Sequence, residues 1–193
     1  MLALLSGLSA GALHVVSGPD HLVAMGPLSL ERPDRGALLG ASWGAGHGGG
    51  VIVLALLALL LRSRFDFLAV SAQAELLVGF LLIAMGIWGF RHRHGHRSPR
   101  AHYPRAAFAV GLLHGTAGAG HLLGVLPTLG LEQSRAVGYL VAYLLAAIAT
   151  MSAVGWLFGA AAGRLTGRHL EAVRRVCSGL AVTVGVAWIA QAA

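Results

Sequence analysis

Two ten-residue stretches, a hundred residues apart, limit what this chain can fold into more than any other feature of it. Leu13 to Leu22 reads LHVVSGPDHL and Leu113 to Leu122 reads LHGTAGAGHL, so Leu13, His14, Gly18, His21 and Leu22 recur as Leu113, His114, Gly118, His121 and Leu122. The same offset relates Gly11 to Gly111, Pro27 to Pro127, Arg35 to Arg135, Gly79 to Gly179 and Trp88 to Trp188. The chain is two copies of one unit, about 1–90 and about 106–193, joined by a segment at 91–105.

The solvent around those copies follows from composition. With 56% hydrophobic residues, 11% charged ones and a mean hydropathy of +0.75, 193 residues carry too little polar surface to cover a soluble globule. An all-α membrane protein with a single transmembrane domain is expected. Apolar spans are read at about Leu2 to Leu30, Ala37 to Leu61, Glu75 to Phe90, Ala106 to Leu131, Ala136 to Phe158 and Val176 to Gln191, each near or above the roughly 20 residues that cross a bilayer. The apolar N-terminus lacks the basic start of a secretory signal, and Gly11 to Leu13 recurs at Gly111 to Leu113, so it is read as the first span. Gly18 and Pro19 predict a break in that span, because proline removes an amide donor and clashes with the preceding turn. The first helix of each repeat is expected to be broken.

All 14 basic residues counted with lysine are arginines, and their placement orients the six helices. Arg32, Arg35, Arg91, Arg93, Arg97, Arg100, Arg105, Arg164, Arg168, Arg174 and Arg175 fall on one face; Arg62, Arg64 and Arg135 fall on the other. The first face is expected in the cytoplasm together with 91–105, and both termini outside. Three spans per copy, an odd number, would insert the second copy upside down relative to the first, giving two inverted three-helix repeats. Arginines scattered in short loops suit membrane orientation and not nucleic-acid binding. The single cysteine, Cys177, excludes an internal disulfide or a dithiol pair.

Asp20 carries the chemistry into the membrane. A carboxylate at mid-span costs ~2.5–3.5 kcal/mol on insertion scales, so it should face the interior with a partner, for which His21 or a backbone amide at the break would suffice. On an unbroken helix His14 and His21 would stand roughly 10 Å apart along the axis and could not share an ion. A break at 17–19 re-aims the chain and brings imidazoles and carboxylate towards one point. Imidazole with carboxylate is a borderline ligand set, suited to nickel, cobalt, zinc or copper in preference to magnesium or calcium. His47 lies in the glycine-rich GASWGAGHGGG, where close helix packing alone would account for its neighbours.

HVVSGPDHL, WGAGHGGG and GLLHGTAGAGHLLGVLP together resemble the membrane proteins grouped with urease accessory and nickel/cobalt transporters, relatives of the lysine-exporter permeases. The resemblance covers nearly the whole chain. It implies a non-enzymatic inner-membrane permease for nickel or cobalt, with His14, Asp20 and His21 as primary ligands and His47, His114 and His121 facing the same pathway. The transported ion would be cargo, with no permanently bound cofactor; a cytoplasmic metal acceptor is a compatible partner. The wider family carries a histidine, four residues and then Asp-His, whereas five residues separate His14 from Asp20 here.

The second motif has Ala119 and Gly120 where the first has Pro19 and Asp20, so one strong site and one transit site past His114 and His121 are expected. His92, His94, His96 and His102 stand among arginines, either as a solvated face or as weak metal collectors at a pore mouth. Thr150 with Met151, and Glu75, are left open by their spacing. The main alternative is a haem-binding electron-transfer protein with histidines as axial ligands, against which the neighbouring aspartate and the helix-breaking proline both count. No HExxH or nucleophile motif points to a metalloenzyme.

Overall fold

A computed structural model describes residues 1–60, 67–91, 103–117 and 126–192. Among them the chain is wholly helical: α1 (Leu2–Ser17), α2 (Pro19–Glu31), α3 (Gly36–Leu60), α4 (Phe67–Arg91), α5 (Tyr103–Gly115), α6 (Gln133–Arg164) and α7 (Gly167–Ala192), with short 3-10 turns at Pro33–Arg35 and Leu126–Gly130. Four stretches among the described residues are long and apolar enough to cross a membrane, Pro33–Leu54, Gln73–Arg91, Gln133–Arg164 and Gly167–Gln191; α1 and α2 make a fifth if that bent pair counts as one span. Large apolar side chains such as Leu5, Leu13, Phe80, Leu145, Trp156 and Val186 point outward. An exterior of that kind is stable against lipid and not against water.

The expected break between α1 and α2 falls at Gly18, and the two helices meet at 70°. Pro19 occupies the first turn of α2, where its missing N–H costs nothing. In the second copy α5 ends at Gly115 without any proline, closed by Thr116 Oγ1 donating to the Leu113 carbonyl at 2.8 Å. The expected His121 and the continuation of that span at 118–125 lie outside the described residues, as do His92, His94, His96 and His102.

Three spans differ from expectation in their limits. α4 starts at Phe67 instead of near Glu75, α6 extends from Gln133 to Arg164, and α7 starts at Gly167 instead of near Val176. For α7 the reason is pairing along the helix: Glu171 accepts from Arg174 Nη2 at 2.6 Å and from Arg175 Nε at 2.9 Å, at i,i+3 and i,i+4. Those charges read as loop from sequence and are helical because they satisfy one another. Arg174 is buried, which a loop residue would not need to be.

The extensive helix contacts are α1 on α6, α3 on α5, α3 on α6 and α4 on α7. Small residues set how closely they approach. A side chain at Gly7 or Gly11 would strike the carbonyl of Tyr139 or Tyr143 on α6, and one at Gly111 or Gly115 would strike that of Trp43 or His47 on α3. Each pair is a small-xxx-small face of the sort that lets helices pack backbone to backbone in a bilayer. Gly36 and Gly155 abut each other's carbonyls in the same way across α3 and α6. Met25, Leu39, Trp43 and Met151 fill the centre with Val15, so Met151 is core. Ser152, one residue on, caps the contact by donating to the Ala37 carbonyl at 3.1 Å.

Candidate functional site

Above that centre, four helices deliver ligand-type side chains to one place. His14 comes from the last turn of α1, Asp20 and His21 from the first turn of α2, His47 from the middle of α3 and His114 from the end of α5. The bend at Gly18 makes the meeting possible, since it leaves the His14 and His21 rings with centroids 4.8 Å apart. Gly18 is needed for space as well: a Cβ there would collide with His21 Nδ1 and would lie 2.8 Å from Asp20 Oδ1. Asp20 sits at the positive end of α2 and His14 at the negative end of α1, so the two half-helix dipoles favour an anionic and a cationic group where each is found.

The Asp20 carboxylate links α2 to α5. Its Oδ2 accepts from His114 Nε2 at 2.6 Å, and its Oδ1 lies 3.4 Å from His21 Nδ1. His14 Nε2 and His47 Nε2 are 3.1 Å apart, so one ring donates to the other according to tautomer. Asp20, His21, His47 and His114 are all no more than 4% exposed; His14 is half-buried. In the membrane such a group of polar side chains is stable only with its members satisfying each other or a shared ion.

The ligand atoms form two sets of three, His14 with His21 and His47, and Asp20 with His21 and His114, within which every atom lies no more than 4.8 Å from the others. Metal to nitrogen distances of about 2.0–2.1 Å put tetrahedral ligands roughly 3.4 Å apart, so small rotations of the rings would close either set on an ion. The sequence expectation of a separate transit position at His114 differs from this geometry. His114 is hydrogen-bonded to Asp20 itself, because α5 packs into α3 through Gly111 and Gly115 and carries His114 to that carboxylate.

An aromatic shell that the motifs did not indicate surrounds the ligands. Trp43 stacks on His47 at 5.0 Å with the planes 9° apart and meets His21 edge-on at 5.3 Å. Tyr143 lies 5.9 Å from His14, and Trp188 lies 5.6 Å from His114. The available signal was spacing: Trp43 and His47 are four apart on a helix and therefore share a face. A hydrophobic wall of this kind excludes water and fixes ring orientation around a metal.

Two curated relatives from Arabidopsis thaliana are similar to the chain. Chloroplast protein FOR GROWTH AND FERTILITY 2 aligns with 95% of it at 31% identity, and Chloroplast protein FOR GROWTH AND FERTILITY 1 with 94% at 30% identity. The alignments cover 55% and 57% of those proteins, so the chain spans a little over half the length of the curated relatives it matches. No family model matches the chain, and no solved structure matches it. The resemblance to nickel/cobalt transporters is thereby overturned, and the preference for nickel or cobalt, the urease-accessory role and the inner-membrane assignment lose the support it gave them: the relatives found are chloroplast proteins. A histidine and an Asp-His pair in an apolar helix are what any intramembrane site for a borderline cation would use, so they identify a chemistry and not a family.

Proposed function

We propose that the chain is a membrane carrier for a divalent transition-metal ion, held among His14, Asp20, His21, His47 and His114 and exposed alternately to the two sides. One observation carries this: five side chains able to ligate, drawn from four helices and both repeats, converge in the buried interior of a chain whose exterior is apolar. Nitrogen and oxygen donors in that ratio suit borderline divalent ions. His121, outside the described residues, is the offset partner of His21 and belongs to the same pathway in this proposal. The test is titration of the purified chain in detergent with Mn²⁺, Co²⁺, Ni²⁺, Cu²⁺ and Zn²⁺, followed by flux into liposomes. One saturable ion per chain and time-dependent uptake are expected; binding no greater than that of a His14→Ala, Asp20→Ala double variant would overturn the proposal.

The mechanism rests on six spans arranged as inverted repeats, the fourth of them including α5. Packing between the copies supports this, because it survives exchange of the two. Gly11 meets the Tyr143 backbone and Gly111 meets that of Trp43; the His14 ring faces Tyr143 and the His114 ring faces Trp43. Each relation becomes the other on adding or removing the offset. Inverted repeats of this sort rock against each other about a central site. The arginine asymmetry supports 91–105 on one side and both termini on the other. With Cys177 replaced by serine, thiol labelling of Ser98→Cys, Ser63→Cys and Ala193→Cys variants is expected to find position 98 on the side opposite the other two. Labelling of 98 and 193 from the same side would rule out six spans.

A further inference from the structure

We infer that the cluster offers its ion two adjoining positions that share His21: a carboxylate position made by Asp20, His21 and His114, and an all-imidazole position made by His14, His21 and His47. The inference rests on the carrier proposal and specifies how the site works. Both sets are present at once, and His21 is the one residue common to them. Each set also contains a polar pair already closed on itself, His114 with Asp20 at 2.6 Å and His14 with His47 at 3.1 Å. An ion entering one set therefore opens that pair and leaves the other intact.

The two positions differ in charge and in depth. Asp20 contributes the formal negative charge, and all three residues of its set are buried, so this is the resting position. The imidazole set carries no compensating charge and includes half-buried His14, so an ion there is held less tightly and lies nearer an exit. Two divalent ions sharing a single imidazole between them would repel strongly in a low-dielectric interior, which limits the cluster to one ion at a time. With His21 bound throughout, the ion passes between positions without ever losing all its protein ligands. Passage needs such a weaker second position, because an ion held in one tight cage does not leave.

The test uses the full chain in detergent with Co²⁺ as the probe, chosen for its coordination-sensitive absorbance and not as the cargo, alongside Co²⁺ flux in liposomes. His47→Ala is expected to keep one Co²⁺ per chain with affinity within about tenfold of the parent, while flux falls at least about tenfold. His114→Ala is expected to lose at least about 100-fold in affinity, since a lost ligand costs no less than the upper end of what loss of a group supporting a ligand brings. His47→Gln and His114→Gln, which keep more of the side-chain volume, serve where an alanine variant does not fold. If both variants lose affinity equally, or if His47→Ala carries Co²⁺ as fast as the parent, the two positions do not exist, although a metal carrier still stands. A parent chain that binds no Co²⁺ under any condition overturns the inference together with the proposal beneath it.

Discussion

Replacing Asp20 by asparagine is expected to weaken divalent-ion binding by at least about 100-fold while leaving the chain as stable as the parent or more so. The two effects separate because the substitution keeps shape and hydrogen bonding but removes charge. An asparagine oxygen can still accept from His114 Nε2 where Oδ2 now lies at 2.6 Å, and its amide can donate towards His21 Nδ1, 3.4 Å from Oδ1. A buried carboxylate is costly in a bilayer, by ~2.5–3.5 kcal/mol on insertion scales, and its removal lifts that cost. The ion meanwhile loses its only anionic ligand among the described residues of the cluster. Metal titration and thermal unfolding on the same detergent preparation read both quantities. Loss of affinity and stability together would make Asp20 a structural partner of two histidines; no change in affinity would remove it from the site.

The second large effect concerns Gly115. Its substitution by alanine is expected to destabilise the chain by about 1–3 kcal/mol, the usual consequence of forcing one extra carbon into a packed contact, and to abolish high-affinity metal binding at the same time. A Cβ at Gly115 would strike the His47 carbonyl oxygen and stand 2.8 Å from its carbonyl carbon, both of them backbone atoms that cannot rotate away. α3 and α5 would have to part, and they carry His47 and His114. Gly163→Ala is the matched control, since nothing lies within 4 Å of a Cβ there and alanine favours a helix over glycine by about 0.8–1.0 kcal/mol. Thermal unfolding of the two variants and the parent decides it; equal midpoints for Gly115→Ala and Gly163→Ala would show that the α3–α5 contact is looser than described.

Helical class and the break near Gly18 were legible because both have local causes, a continuous apolar composition and a proline that cannot donate. The hundred-residue offset pointed to His114 as a pathway residue, but nothing in one dimension says that α5 brings it within 2.6 Å of Asp20. That depends on glycine faces meeting between helices, for which spacing shows a face without naming its partner. Helix limits failed where charges pair internally: Glu171, Arg174 and Arg175 look like a loop until their i,i+3 and i,i+4 bonds are seen. Trp43 carries no ligand atom of the kinds that marked the site, and only its four-residue spacing from His47 shows that the two share a helix face. The family assignment failed for a different reason. It rested on short histidine- and glycine-rich motifs, and the relatives that align with 95% and 94% of the chain are other proteins.

The pairing of α1 with α6, α3 with α5, α3 with α6 and α4 with α7 has a consequence for biosynthesis. Every one of those contacts joins a helix made early to a helix made late. Before α6 is made, the first-half helices present Gly7, Gly11, Gly36 and Gly40, the faces that finally rest on it, without that helix against them. Asp20 waits there too, with His21 beside it and His114 not yet synthesised. The first half is therefore an assembly intermediate kept open for its sequel, and severing the gene at the linker should give two polypeptides that accumulate only when expressed together.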